Sequence, residues 1–177
     1  IEDSTSTLRD FGINFDEGVI DSNNEKGAYG PYKQSDRINI YHAFVKSLIS
    51  KGLAYPCFCT TEDLDKTRTI QQELKINTGY HGKWAIHRNS TMDEITSELA
   101  KGTPYVIRLR APEESGKRVV CNDLIKGTIS MPENDQDIVI LKTNGIPTYH
   151  FAHAIDDHLM GTTHVIRGEE WLSSLPI

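Results

Sequence analysis

The sequence predicts an α/β nucleotide-binding core interrupted by an α+β insert, and three observations carry that expectation. The first part of the chain has helical periodicity, and its middle is a meander of short alternating segments. A continuous apolar run, Ile138-Val139-Ile140-Leu141, then leads into a segment dense in functional side chains. Helices and strands in this order bury their apolar faces as layers around a shared core.

Residues 1–30 are polar, and Phe11-Gly12-Ile13-Asn14-Phe15 alternates like a short strand or turn. Asp21-Ser22-Asn23-Asn24-Glu25-Lys26-Gly27 reads as an exposed loop. Ser35 is a candidate N-cap, because Ile38, Tyr41, Phe44, Val45, Leu48 and Ile49 follow at helical spacing and Gly52 supplies a stop. Tyr55 to Cys59 reads as a strand. Thr60 or Thr61 then caps a second helix whose first turn carries Glu62, Asp63 and Asp65, where the helix dipole favours acids. Asn77 to Gly82 breaks it, Ser90-Thr91-Met92-Asp93-Glu94 opens a third helix, and Lys101-Gly102 closes it. Tyr105 to Arg110, Arg118 to Cys121 and Gly127 to Ser130 carry strand signals. The apolar run at 138–141 has the pattern of a strand buried on both faces.

The 177 residues suffice for one domain or two small ones with a real core. Hydrophobic residues at 37% and charged residues at 25% match a soluble globular protein. No apolar run approaches bilayer length, and no charged-then-apolar leader is present. The net charge of -6 argues against a protein that coats nucleic acid, although phosphate contacts need only a few well-placed Lys and Arg. Three cysteines are an odd number, and the pair in Cys57-Phe58-Cys59 suits a metal or reduced thiols better than a disulfide framework. The expected location is cytoplasmic. Both ends, Ile1-Glu2-Asp3 and Leu175-Pro176-Ile177, read as cut from something longer.

Between Gly145 and Trp171 lie Tyr149, His150, His153, Asp156, Asp157, His158, His164, Arg167, Glu169, Glu170 and Trp171, interrupted by apolar patches. Charge among apolar residues is tolerated mainly when it is paired or used, so this stretch reads as a pocket wall. A metal on His153, Asp157 and His158 is one reading, but adjacent residues point apart and no fourth ligand is evident. The other is a small polar ligand held by Arg167 through a bidentate fork, with Tyr149 giving a hydroxyl and Trp171 an aromatic wall. The bland alternatives are a salt bridge from Arg167 to Glu169, Glu170 or Asp157, and core packing for Trp171. Arg108, Arg110, Lys117, Arg118 and Lys126 cluster on the strand meander, where the bland reading is a solvated face.

Five blocks in order resemble the glutamyl-tRNA synthetases, class I aminoacyl-tRNA synthetases. Ile1-Glu2-Asp3 resembles the end of R-I-E-D-T-D. Asp16-Glu17-Gly18 with Gly30-Pro31-Tyr32-Lys33-Gln34-Ser35-Asp36-Arg37 resembles D-E-G-P-Y-x-Q-S-x-R, and Gly52 to Cys59 resembles G-x-A-Y-x-C-x-C. Asp123-Leu124-Ile125-Lys126-Gly127 resembles D-x-I-R-G, and Pro147-Thr148-Tyr149 through Arg167-Gly168-Glu169-Glu170-Trp171 completes the series. The resemblance implies a Rossmann-type class I core over 1–54 and 131–177, with an α+β acceptor-stem-binding insert over 55–130. It implies that Glu2, Tyr149, His153, Arg167 and Trp171 bind substrate, with Arg167 on the side-chain carboxylate that separates glutamate from glutamine. Position 153, often Asn in the family, is His here.

By the same resemblance, Arg108, Arg110, Lys117, Arg118 and Lys126 would contact tRNA phosphates. Many bacterial members hold a structural zinc by C-x-C and Y-x-x-x-C-R. Here Trp84 follows Tyr80 at the cysteine spacing, and His87-Arg88-Asn89 stands three residues later. Cys57, Cys59 and His87, with Tyr80 or His81, are therefore the candidate Zn2+ ligands. The implied reaction is ATP-dependent ligation of L-glutamate to tRNA(Glu) through glutamyl-adenylate, with ATP carried by Mg2+. The implied partners are the acceptor stem, glutamate and ATP, with no membrane and a monomeric chain. The family's H-I-G-H and K-M-S-K-S motifs are not in these residues, so the chain alone is expected to fold but not to form adenylate. The alternatives are the paralogue that glutamylates queuosine in tRNA(Asp), and a non-catalytic RNA- or zinc-binding module.

Overall fold

The computed structural model describes residues 2–112 and 116–177, and the side chains of Glu2 and Asp3 lie outside that description. Helix α1 (Glu2–Asp10) opens the chain and is followed by a tiny antiparallel hairpin of β1 (Gly18–Val19) and β2 (Glu25–Lys26). Of the two readings for Phe11 to Phe15, the turn holds at Phe11-Gly12 and the strand does not form. No strand pairs with it, and Phe11 and Ile13 face solvent. Within the loop between β1 and β2, Asp21 accepts the N–H groups of Asn23 and Asn24, which closes the turn locally.

A 3-10 turn (Gln34–Arg37) precedes helix α2 (Ile38–Ser50). Ser35 does not cap it. It lies inside the 3-10 turn and its hydroxyl donates to Asp36 at 3.0 Å. The stop at Gly52 holds: its φ of +71° is the left-handed conformation that glycine adopts freely, and its N–H returns to the Ile49 carbonyl. Strand β3 (Ala54–Cys57) follows, and then helix α3 (Thr61–Glu73). Thr60 and Asp63 form a reciprocal capping box on α3, and Thr91 and Glu94 form another on α4 (Met92–Ala100).

Strand β4 (Val106–Leu109), a hairpin of β5 (Arg118–Asp123) and β6 (Gly127–Pro132), strand β7 (Val139–Leu141) and helix α5 (Tyr149–Met160) complete the regular elements. The sheet order is β3-β4-β7, with β4 central, and all strand pairings among the described residues are antiparallel. The apolar run at 138–141 therefore forms an edge strand rather than one buried on both faces. Ile140 is buried while Val139 and Leu141 are half-buried. The sheet joins strands from either side of the expected boundary at 130. Tyr41 and Val45 of α2, Ala54 of β3, Ile107 of β4, Ile140 of β7, and Phe151, Ala152 and Ile155 of α5 then form one apolar core. Helix α5 turns Phe151, Ala152 and Ile155 inward, so Tyr149 and His153 are carried on another side of the same helix.

Candidate functional site

Arg37, 2% exposed, fixes α5 from below. Its Nε donates to Asp156 at 2.8 Å, its Nη1 donates to the Pro31 and Tyr29 carbonyls, and the Tyr41 hydroxyl donates to the other Asp156 oxygen at 2.8 Å. Both phenol and guanidinium serve one carboxylate, so the helix cannot rotate without leaving a buried cation unpaired. On the side this leaves free, the Tyr149 ring stacks parallel to the His153 ring at 5.6 Å and tilts against Trp171 at 4.8 Å. The Arg167 guanidinium lies 6.0 Å from the Tyr149 ring centre.

Four of the five expected substrate residues, Tyr149, His153, Arg167 and Trp171, thus come together, while the fifth, Glu2, has its side chain outside the described residues. The salt-bridge alternative for Arg167 does not occur with the residues considered. Glu169 pairs with Lys126 at 2.5 Å and Asp157 with His153 at 2.9 Å, and Arg167 Nε is buried without a partner. Arg167 is half-exposed and tied to no protein carboxylate among the described residues, which leaves its guanidinium available to one from outside. Burial holds the His153 pKa below its ordinary 6.5, with Arg167 acting in the same direction and Asp157 opposing.

A second centre sits on β3 and the loops after α3. Cys57 Sγ lies 3.2 Å from Tyr80 Oη and 3.8 Å from His87 Nδ1, while Cys59 Sγ lies 3.4 Å from each. One donor atom from each of Cys57, Cys59 and His87 falls within 4.8 Å of the others. A tetrahedral site with metal–sulfur bonds near 2.3 Å and metal–nitrogen bonds near 2.0 Å needs donor separations of about 3.3–3.8 Å, so this set could hold a metal ion. The Cys59 thiol and Tyr80 phenol hold the buried Cys57 thiol well below the usual thiol range, and the bond to Cys57 together with burial pushes Cys59 up.

Tyr80 is placed by Gln71, fully buried, whose amide accepts from the Gly79 N–H and donates to the Gly79 carbonyl, both at 2.8 Å. Gly79 has φ +140°, a conformation that L side chains rarely adopt, so a side chain there would be strained and would also have to displace the Gln136 amide. His81, the alternative to Tyr80, turns away and bonds the Asn77 carbonyl at 3.0 Å.

The profile of the class I tRNA synthetases (E and Q), catalytic domain, matches residues 2–177. The chain belongs to this family. A glutamate–tRNA ligase of Clostridium perfringens (strain 13 / Type A) is 56% identical over 177 residues, which is 100% of this chain and 32% of the relative. A crystal structure of a glutamate tRNA ligase from Elizabethkingia meningosepticum in complex with its amino acid superposes with TM-score 0.81 at 34% identity, covering 98% of this chain and 34% of that one. Another, from Elizabethkingia anophelis, gives TM-score 0.74 at 38% identity over 85% of this chain and 31% of that one. The chain spans about a third of the length of the curated relatives it matches. None of its described helices is long and apolar enough to cross a membrane.

In this synthetase domain the basic residues do not form one strip. Arg108, expected on an exposed basic strip, is instead 7% exposed, with its Nη1 donating to the Asp137 carbonyl and its guanidinium stacked on the Tyr80 ring. Both faces of the central strand β4 are covered, Ile107 by the apolar core and Arg108 by Tyr80, so alternation in the sequence could not show that position 108 is interior. Arg110 is spent on its own chain, with bonds to the Gly52 and Arg88 carbonyls and to Asn89. Lys117, Arg118 and Lys126 are exposed on the β5–β6 hairpin, Arg118 being braced by Ser130.

Sequence reasoning missed Asp137 altogether. It is fully buried and accepts from Arg88 at 2.6 Å, Tyr55 at 2.5 Å and the Ala111 N–H at 2.8 Å. Asp135 and Asp137 stand two positions apart in one polar run, and only the fold shows which acid turns in.

Proposed function

We propose that this domain belongs to an ATP-dependent ligase that joins L-glutamate to tRNA(Glu) through glutamyl-adenylate, acting in the cytoplasm, with ATP as its magnesium complex. The observation that carries the reading is the buried, unpartnered Arg167 Nε beside Tyr149, His153 and Trp171. A guanidinium pairs both oxygens of a carboxylate, whereas a glutamine amide would present an NH2 to the cation. Tyr149 and Trp171 wall the pocket, and His153 gives a polar contact where the resembled pattern often has Asn. Catalysis of adenylate formation rests on positioning and on charge stabilisation at the phosphates rather than on a protein nucleophile. Names and identities of the relatives support ligation to tRNA(Glu) over the queuosine paralogue and over a binding module without catalysis.

In the enzyme that carries this sequence, Arg167→Ala should raise the glutamate KM, with a loss on the order of 2–5 kcal/mol for an unpaired carboxylate. Unchanged glutamate kinetics would remove Arg167 from the pocket. We further propose that Cys57, Cys59, Tyr80 and His87 hold a structural Zn2+, which would cross-link β3 to the loops after α3. The donor set of two thiols, an imidazole and a phenol at these separations fits that ion. Lys117, Arg118 and Lys126 are proposed as phosphate contacts for the acceptor stem. We propose that residues 1–54 and 131–177 serve the catalytic core and 55–130 the acceptor stem, with the β3-β4-β7 sheet tying the parts together.

A further inference from the structure

We propose that Arg108 is a positioning residue for the metal centre. Its guanidinium holds the Tyr80 ring against the two thiols and supplies the positive charge behind them. The proposal rests on the zinc reading given above.

The argument begins with a cation that lacks a carboxylate. Arg108 is 7% exposed, and no ion pair among the described residues includes it. The nearby carboxylate of Asp137 is committed to Arg88, Tyr55 and the Ala111 N–H, and Arg108 Nη1 reaches only the Asp137 backbone carbonyl, at 2.7 Å. Its Nε has no hydrogen-bond partner among the described residues. A buried guanidinium in that state is costly unless negative charge lies close by. The guanidinium carbon stands 4.0 Å from the Tyr80 ring centre, and the Tyr80 oxygen touches both sulfurs.

Two thiolates and a phenolate outweigh one divalent ion by one negative charge, which a fixed guanidinium at the ring would balance. Stacking also fixes the ring plane, so the phenol oxygen cannot swing away from the thiols. Arg108 lies on the central strand, paired with Tyr55 of β3, at the point where the β4–β7 register shifts.

The test is a double-mutant cycle on zinc affinity, read by competition with a chromophoric chelator on chains shown by circular dichroism to be folded. Arg108→Met should weaken zinc binding about ten- to hundredfold, as loss of outer-shell partners does elsewhere. Arg108→Lys, which keeps the charge but not the planar stack, should weaken it by a smaller factor. Tyr80→Phe should also weaken it, and adding Arg108→Met to Tyr80→Phe should cost less than Arg108→Met costs in the parent, because without the phenol oxygen there is no third anionic donor for Arg108 to orient and balance. If the two losses multiply, or if zinc binds the Arg108→Met chain as tightly as the parent, the proposal is overturned while the zinc site stands. Should Arg108→Met fail to fold, undiminished affinity in Arg108→Lys overturns it in the same way. A parent chain that takes up no zinc removes both readings together.

Discussion

Replacing Asp137 by Asn should be among the most damaging single changes that leave side-chain shape intact. The carboxylate is fully buried and receives three donors: Arg88 Nη1 at 2.6 Å, the Tyr55 hydroxyl at 2.5 Å and the Ala111 N–H at 2.8 Å. Asn offers one oxygen where the Asp offers two, and its NH2 must face a donor. The Arg88 cation, 8% exposed, is then left without its counter-charge. Removing one partner of a buried ion pair costs about 3–5 kcal/mol. For a chain of this size each kcal/mol lowers Tm by about 2–4 °C, so the fall should be roughly 6–20 °C.

Reversible urea unfolding followed by circular dichroism gives the free energy, and Lys101→Ala supplies the comparison. Lys101 meets Glu98 at 2.6 Å on an exposed helix end, and such pairs contribute about 0–1 kcal/mol. If Asp137→Asn costs no more than Lys101→Ala, the buried network is not what joins β3, β4 and the segment before β7.

Elemental analysis of purified chain should find about one zinc per molecule, and His87→Ala should release it, because the remaining donors leave one corner of the tetrahedron open; zinc retained in that variant would exclude His87 as a ligand. Thr91→Ala should destabilise by about 1 kcal/mol through loss of the α4 cap, measured in the same urea series, and Thr60→Ala by a similar amount for α3. The His153 pKa lies below 6.5 in the folded chain, so the unfolded chain binds the proton more readily. His153 therefore favours folding above about 6.5 and loses that contribution as pH falls through its lowered folded value, and His153→Gln should flatten this part of the stability–pH curve. An identical acid slope in both proteins would show that His153 titrates alike folded and unfolded.

Local signals were legible in the sequence because their physics is local. Thr60 with Asp63 and Thr91 with Glu94 state their capping boxes three residues apart, and Gly52 states its left-handed stop. Cys57, Cys59, Tyr80 and His87 were named from ligand chemistry and a resemblance, and Tyr149, His153, Arg167 and Trp171 from side-chain type within one segment. Their convergence needed the fold. Gln71 pins Gly79 beside Tyr80, whose oxygen touches both thiols, whereas His81 bonds the Asn77 carbonyl.

Tertiary structure alone decided the fate of charges whose partners are distant in the chain. Asp137 meets Tyr55 across 82 positions and Arg37 meets Asp156 across 119. Arg108 and Arg118 are both arginines in alternating apolar segments, yet one is buried on Tyr80 and the other is exposed on a hairpin. Alternation fixes that neighbours point to opposite faces; which face is interior is set by what packs there. The sequence thus determined the elements and the residue types of both sites, while the balance of desolvation against long-range pairing determined which charges serve the interior and which remain free for a ligand.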